Sequence, residues 1–288
     1  MKIENHHIGA NAAPTDWRSE VSARLDQCYA SISRLLDPSG QASEMDFVLL
    51  KAGRSALSLR CSAGPGHVYV KLFTGPETHA PYHKEKASLA ALRDSGLVPR
   101  LLAFSDERHF IVTEWIEQAD LDPFEALDPS RAAEALGVWI GEMDSKAPGN
   151  RLHGNWYSYL KKFGDQLDLD RITPARELLS NIPLCGSVLS RNDAALHNFI
   201  FVGDGELLGF DFDKAKLCPR GWDYIHGFIA LIQRYPDDVE TVLEAYSQGF
   251  ARAHRGVLLV DELNSVARAL FCATAIVGRQ KEEALSWL

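Results

Sequence analysis

Apolar residues along this chain change rhythm twice. From Thr15 to Leu36, Trp17, Val21, Leu25, Cys28, Ile32 and Leu35 recur at helical spacing after a Thr-Asp start. Asp37-Pro38-Ser39-Gly40 ends the run, so the pattern predicts an amphipathic helix. Between residues 46 and 73 the runs shorten to Phe47–Leu50, Ala56–Cys61 and Val68–Phe73, with turns at Lys51–Ser55 and Ser62–His67. These read as three strands. A helix from about His83 to Ser95 follows, and then two further apolar runs, Arg100–Phe104 and His109–Trp115, which complete a five-stranded antiparallel sheet with one helix. After Pro123 the rhythm turns helical. Ala132, Ala135, Leu136, Trp139, Ile140 and Met143 mark one helix, which ends before Pro148-Gly149. Asp168 to Pro183 reads as another. Three more follow Asp223, separated by Pro236 and by Arg255-Gly256. One stretch interrupts this helical half: Ile200–Val202, Gly203-Asp204-Gly205 and Leu207–Phe210 predict a β-hairpin, with Asp211 at the end of its second strand.

The pattern therefore predicts an α+β protein in two lobes, a small antiparallel sheet and a larger, mostly helical part. Expected boundaries are an extension over 1–45, an amino lobe over 46–116 and a carboxy lobe over 117–288. At 288 residues and 46% hydrophobic content the chain can bury a full core. Its net charge of −9 argues against nucleic acid as a partner. Five scattered cysteines without a C-x-x-C pair argue against a disulfide framework or a zinc site. The polar start MKIENHHIGANAAP lacks an apolar core, and no stretch reaches the roughly 18 apolar residues of a membrane span. A cytoplasmic protein is expected, with His6-His7 in a polar tail.

Candidate chemistry concentrates between Val188 and Ile225. Asp193, Asn198 five residues later, and Asp211 beyond a short hairpin supply one carboxylate to orient a hydroxyl and two hard oxygen ligands for Mg²⁺. The order Asp193, Asn198, hairpin, Asp211-Phe212, Trp222-Asp223 resembles the aminoglycoside phosphotransferase and choline kinase-like family, whose pattern runs H-G-D-x-x-x-x-N and then I-D-F-x-x-A. That resemblance implies a bilobal protein-kinase-like fold. It makes Asp193 the catalytic base, Asn198 and Asp211 metal ligands, and Asp223 a brace for the catalytic loop. Phe212 and Ala215 fit the flanking pattern. Arg191 departs from it, standing where the family has His and bringing a cation close to Asp193, which would lower its basicity.

The same resemblance organises the amino lobe. Gly53 and Ser55 lie in a small-residue loop between strands that could fold over nucleotide phosphates, although Gly53 serves an ordinary hairpin turn equally well. Lys71 interrupts an apolar strand and so needs a carboxylate partner, Glu85 or its rival Glu77. Kinase-like folds use such a lysine on the α- and β-phosphates. Glu114 and Ile116 fall in a hinge-like segment whose main-chain atoms would hold the adenine. Trp156, Tyr157, Tyr159 and Phe163 would line a substrate cleft or pack in the core.

The function implied is ATP-dependent, or GTP-dependent, phosphorylation of a small-molecule hydroxyl with Mg²⁺, the acceptor being an aminoglycoside or amino sugar, an amino alcohol or a sugar. Two alternatives stand beside it: a pseudokinase acting as a binding module, and a lipopolysaccharide-core-type sugar kinase. Only eleven residues separate Asp211 from Asp223, which leaves little room for the activation segment of a protein kinase.

Overall fold

The structure, a computed structural model, describes residues 17–36, 45–53, 55–63, 66–75, 77–117, 123–146, 152–193, 195–202, 205–255 and 259–274. The expected turns at 37–40, 64–65 and 203–204 lie outside the described residues, as do His6-His7, Arg54, Pro148-Gly149 and Gly256. The chain divides after residue 117 into two compact units.

The first unit contains α1 (Trp17–Leu36), β1 (Asp46–Ala52), β2 (Ala56–Ala63), β3 (Gly66–Phe73), α2 (His79–Leu92), β4 (Leu101–Ser105) and β5 (Phe110–Glu114). Its strands form one antiparallel sheet in the order β1-β2-β3-β5-β4. Leu25, Cys28 and Ile32 of α1 share a core with Phe47, Leu59, Val70 and Val112 of the sheet. Burying Leu25 and Ile32 completely favours this docking by about 1.5–3 kcal/mol each. Two boundaries differ from the sequence pattern. β1 continues through Lys51 and Ala52, because the register slips by one residue between Leu49 and Lys51 and pairing then resumes with Ser58 and Leu57. α2 starts at His79 instead of His83, because Pro81 lies in the first turn, where its missing N–H is not needed. The Tyr82 N–H closes that turn on the Thr78 carbonyl (3.1 Å), and Ser95 caps the far end on the Leu92 carbonyl.

The second unit contains α3 (Pro123–Ala126), α4 (Pro129–Lys146), α5 (Trp156–Leu160), α6 (Arg176–Asn181), β6 (Ser187–Ser190), β7 (Phe199–Val202), β8 (Glu206–Gly209), β9 (Lys216–Pro219), α7 (Trp222–Arg234), α8 (Val239–Ala253) and α9 (Val260–Ala273). The single helix expected over Asp168–Pro183 is instead a 3₁₀ stretch, Leu169–Ala175, followed by α6. Pro174 cannot donate into an α-helical ladder there. β7 and β8 form the expected hairpin, with Phe199 opposite Gly209 and Val202 opposite Glu206. β8 ends at Gly209, so Asp211 lies beyond the strand. A side chain at Gly209 would run into the Trp139 indole of α4, which packs directly beneath the hairpin. Among the described residues, no helix is long and apolar enough to cross a membrane.

Candidate active site

In the first unit the decisive feature is an ion pair in a dry place. Lys71 sits in the middle of β3, opposite Ser58 on one side and Ile111 on the other. Its Nζ donates to Glu85 Oε2 of α2 at 2.5 Å, with side-chain exposures of 8% and 6%. Glu85 is thus the carboxylate that this buried cation requires, not Glu77. At the end of β5, the Glu114 N–H is committed to the Arg100 carbonyl (3.0 Å), and its carboxylate accepts from the Arg100 N–H (2.8 Å). Ile116 lies just past the strand. Gly53 donates its N–H to the Ala56 carbonyl (2.9 Å), closing the β1–β2 turn, and the Ser55 carbonyl accepts from Thr74 (2.8 Å).

In the second unit the loop after β6 is held from two sides. Asp223, in the first turn of α7, accepts the Ser190 hydroxyl (2.7 Å), the Arg191 N–H (3.0 Å) and the Asn192 N–H (3.2 Å). Arg191 is buried, and its guanidinium donates to the main-chain carbonyls of Asp193 and of Asn198, the latter at 3.2 Å. It lies 4.0 Å from the centre of the Phe199 ring. Burial brings its pKa down to about 10, against the pull of Asp223, Asp193 and Asp211, so it remains a cation at neutral pH. Arg191 therefore straps together the ends of the loop that carries Asp193 and Asn198. Asn192 adopts φ +54°, a left-handed conformation that Asn tolerates, and its side chain accepts the Trp222 indole N–H (3.0 Å).

Asp193 stands in the wall of a cavity of about 720 Å³, with Phe163, Trp222, His226 and Arg234 among its neighbours. Burial pushes the Asp193 carboxyl up, but Lys214, the Ala195 N–H and Arg191 together outweigh it and hold the carboxyl below its usual range. Lys214 is the strongest of these, its Nζ donating to Oδ2 at 2.7 Å. The Ala195 N–H occupies Oδ1 at 3.0 Å. Burial keeps the neighbouring His226 imidazole down, against Asp223 and Asp193, and so neutral at pH 7. Asn198 is buried at the end of a short 3₁₀ turn, Leu196–Asn198, and its carbonyl accepts the Phe210 N–H (3.1 Å). Asp211 adopts φ +65°, a conformation uncommon outside glycine that concentrates where function sets the backbone.

Residues 46–259 match the model of the phosphotransferase enzyme family. The chain belongs to that family. No curated protein matches it. Among solved structures, the choline kinase LicA from Streptococcus pneumoniae is similar at 16% identity and TM-score 0.54, over 84% of this chain and 88% of that one. An ethanolamine kinase from Plasmodium vivax is 12% identical with TM-score 0.57, over 92% and 87%. The macrolide 2'-phosphotransferase MphH from Brachybacterium faecium is 14% identical with TM-score 0.55, over 94% and 98%. The fold is accordingly α+β and protein-kinase-like, and the chain is a member of the phosphotransferase enzyme family.

Several residues of this phosphotransferase escape a reading of its sequence. Lys214, inside the D-F-x-x-A segment, pairs with Asp193 across 21 positions, and no local spacing announces it. β6 and β9 are four residues each and carry no alternating pattern, yet their pairing frames the loop. Asp144 of α4 anchors the start of α7 by accepting the Gly221 N–H (3.0 Å) and pairing with Arg220 (3.2 Å) and His254 (3.0 Å). The aromatic segment after residue 155 divides its labour. Trp156 is buried core, whereas Phe163 stacks on Trp222 (5.9 Å between centres) at the cavity wall.

Proposed function

We propose that this phosphotransferase moves the γ-phosphoryl group of ATP to a hydroxyl of a small molecule bound in the cavity beside Asp193. The observation that carries this reading is Asp193 itself, an ionised carboxylate in the wall of a 720 Å³ cavity, on a loop held by Asp223 and Arg191. Asp193 accepts a hydrogen bond from the acceptor hydroxyl and takes its proton as that oxygen bonds to the γ-phosphorus, while the bond to the β-phosphate oxygen breaks and ADP leaves. With both Oδ atoms already engaged by Lys214 and Ala195, Lys214 must share or release Oδ2 when the acceptor arrives. The Asn198 amide and the Asp211 carboxylate are hard oxygen donors that suit Mg²⁺, and Mg²⁺ would neutralise phosphate charge there. Lys71, oriented by Glu85, holds the α- and β-phosphates. The Glu114 carbonyl and the Ile116 N–H serve the adenine edge, and Gly53 and Ser55 lie over the phosphates.

The cavity lining narrows the acceptor. Among the described residues around it, Asp193 is the one carboxylate, whereas Lys216 and Arg234 are cations, and Phe163 and Trp222 present ring surface. Such a lining favours a neutral or singly charged hydroxyl compound, a sugar or an amino alcohol, over a polycationic aminoglycoside. Thermal-shift titration with Mg²⁺-ATP and Mg²⁺-GTP, comparing wild type with Asp211→Ala, tests the nucleotide site. A ligand at 100 times its Kd stabilises the fold by about 2.7 kcal/mol. A shift seen in wild type and lost in Asp211→Ala supports the assignment, and ADP release is then measured over sugars, amino alcohols and aminoglycosides. No shift with either nucleotide would turn the reading to a binding module without turnover.

A further inference from the structure

The first turn of α2 and the turn between β4 and β5 bring three imidazoles together in the first unit. His79 and His83 are one helical turn apart and share a face, with their Nε2 atoms 3.0 Å apart. His109 stands against them, its ring centre 5.6 Å from that of His79 and 6.2 Å from that of His83. One ring nitrogen from each of the three lies within 4.8 Å of the others. Among the described residues, no other three His, Cys, Asp or Glu side chains converge in this way.

At 3.0 Å the two ring nitrogens stand at hydrogen-bond distance, and a divalent cation can bridge them in place of that contact. Tetrahedral zinc with bonds of 2.0–2.1 Å sets its nitrogens about 3.3 Å apart, so His79 and His83 are already within a few tenths of an ångström of the required spacing. His79 is exposed and His83 half-buried, which leaves their rings room to close on His109. The surroundings supply the support that histidine ligands need. Thr78 Oγ1 lies 3.2 Å from His109 Nδ1 and orients that ring. The Tyr82 ring packs on both His83 (4.9 Å) and His109 (5.0 Å). Of the two lysines that follow His83, Lys86 is balanced by Asp106 at 2.5 Å, and Lys84 is exposed, where solvent screens its charge. His109 takes up φ +48°, and its carbonyl accepts the Phe73 N–H (3.0 Å), so the turn is pinned to β3 in a conformation that few side chains adopt freely. The positive end of α2 opposes a cation, but at an exposed site this amounts to a factor of roughly two to five in affinity.

We propose that His79, His83 and His109 form a binding site for a late first-row divalent ion, zinc foremost, which pins the start of α2 to the β4–β5 turn. Imidazole ligands select such ions over Mg²⁺ and Ca²⁺. Glu85 follows His83 by two residues, so the ion would restrain the helix that holds Lys71. This site stands independently of the acceptor and of turnover.

The test uses the full chain stripped of metal with a chelator, titrated with Zn²⁺ against a chromophoric competitor and with Co²⁺ while its visible absorption is followed. One equivalent should bind, with the absorption of a tetrahedral cobalt site and a rise in Tm. His79→Ala, His83→Ala and His109→Gly should each weaken zinc by more than the ~10–100-fold that loss of an outer-shell partner causes. His6→Ala/His7→Ala should leave affinity unchanged. Binding that survives His79→Ala, an exposed position whose truncation leaves the fold intact, would overturn the proposal. So would binding abolished by the His6→Ala/His7→Ala variant, or no saturable binding at all.

Discussion

Lys71–Glu85 in the first unit and Lys214–Asp193 in the second are lysine–carboxylate pairs of similar length, 2.5 and 2.7 Å. Their access to water separates them. Lys71 and Glu85 are each less than a tenth exposed, whereas Lys214 is 61% exposed beside an Asp193 that is 14% exposed. In the first pair neither ion can be left alone, because no water replaces its partner. In the second, solvent screens the lysine, and the pair can open at small cost. A fixed pair suits holding a ligand, and an opening pair suits a carboxylate that must exchange partners during turnover.

The largest effect that would sharpen this contrast is kinetic. Asp193→Asn should lower turnover by about 10²–10⁴-fold while nucleotide affinity stays within a few-fold. Equal losses in both would remove Asp193 from its role. Next comes the dry pair: Lys71→Met alone should destabilise the fold by about 3–5 kcal/mol in urea unfolding, and adding Glu85→Leu should restore most of the loss. A single-variant cost below about 1 kcal/mol would mean that water reaches the pair. Arg191→Met, which strands the Asp193 carbonyl and leaves the Asn198 carbonyl with the Phe210 N–H alone, should cost about 1–3 kcal/mol. Lys214→Ala should be the mildest, at about 1 kcal/mol or less once solvent screening is allowed for.

Lys214→Ala has a sharper signature in pH. Lys214 lowers the Asp193 pKa, so removing it leaves burial to push the carboxyl up against Ala195 and Arg191 alone. The acid limb of kcat/KM should therefore move to higher pH, and an unmoved limb would show that Lys214 does not set the charge of the base. The sign for stability follows from the same shift. A carboxyl depressed in the native state contributes stability above its unfolded pKa of about 3.9 and loses it as pH falls through the lower native value.

Much of this was legible in the residues because it depends on local order. Lys71 announced a partner by interrupting an apolar strand, and Glu85 was within reach on the next helix. The hairpin between Asn198 and Asp211 followed from two short apolar runs around glycines. What escaped depends on pairing across the chain. β6 and β9 are too short to carry a period, and Lys214 meets Asp193 only because the chain folds back after β8. α2 starts one turn earlier than its spacing predicts, since Pro81, which would stop a helix interior, is harmless in its first turn. His79 and His83 share a face by spacing alone, but the distance from either to His109 is set by the topology of the sheet.

Arg191 was the departure expected to weaken Asp193, yet it comes last among the influences that lower that carboxyl, and its fork is spent on two carbonyls. The position thus asks for a planar group that can reach two oxygens at once, and not for one named amino acid. A family signature written with a mandatory histidine would discard this chain, whereas one written for a side chain that donates to the carbonyls of this loop would retain it. Lysine, equal in charge but lacking the fork, would be the poorer substitute, so at this site the usual measure of a conservative exchange is inverted.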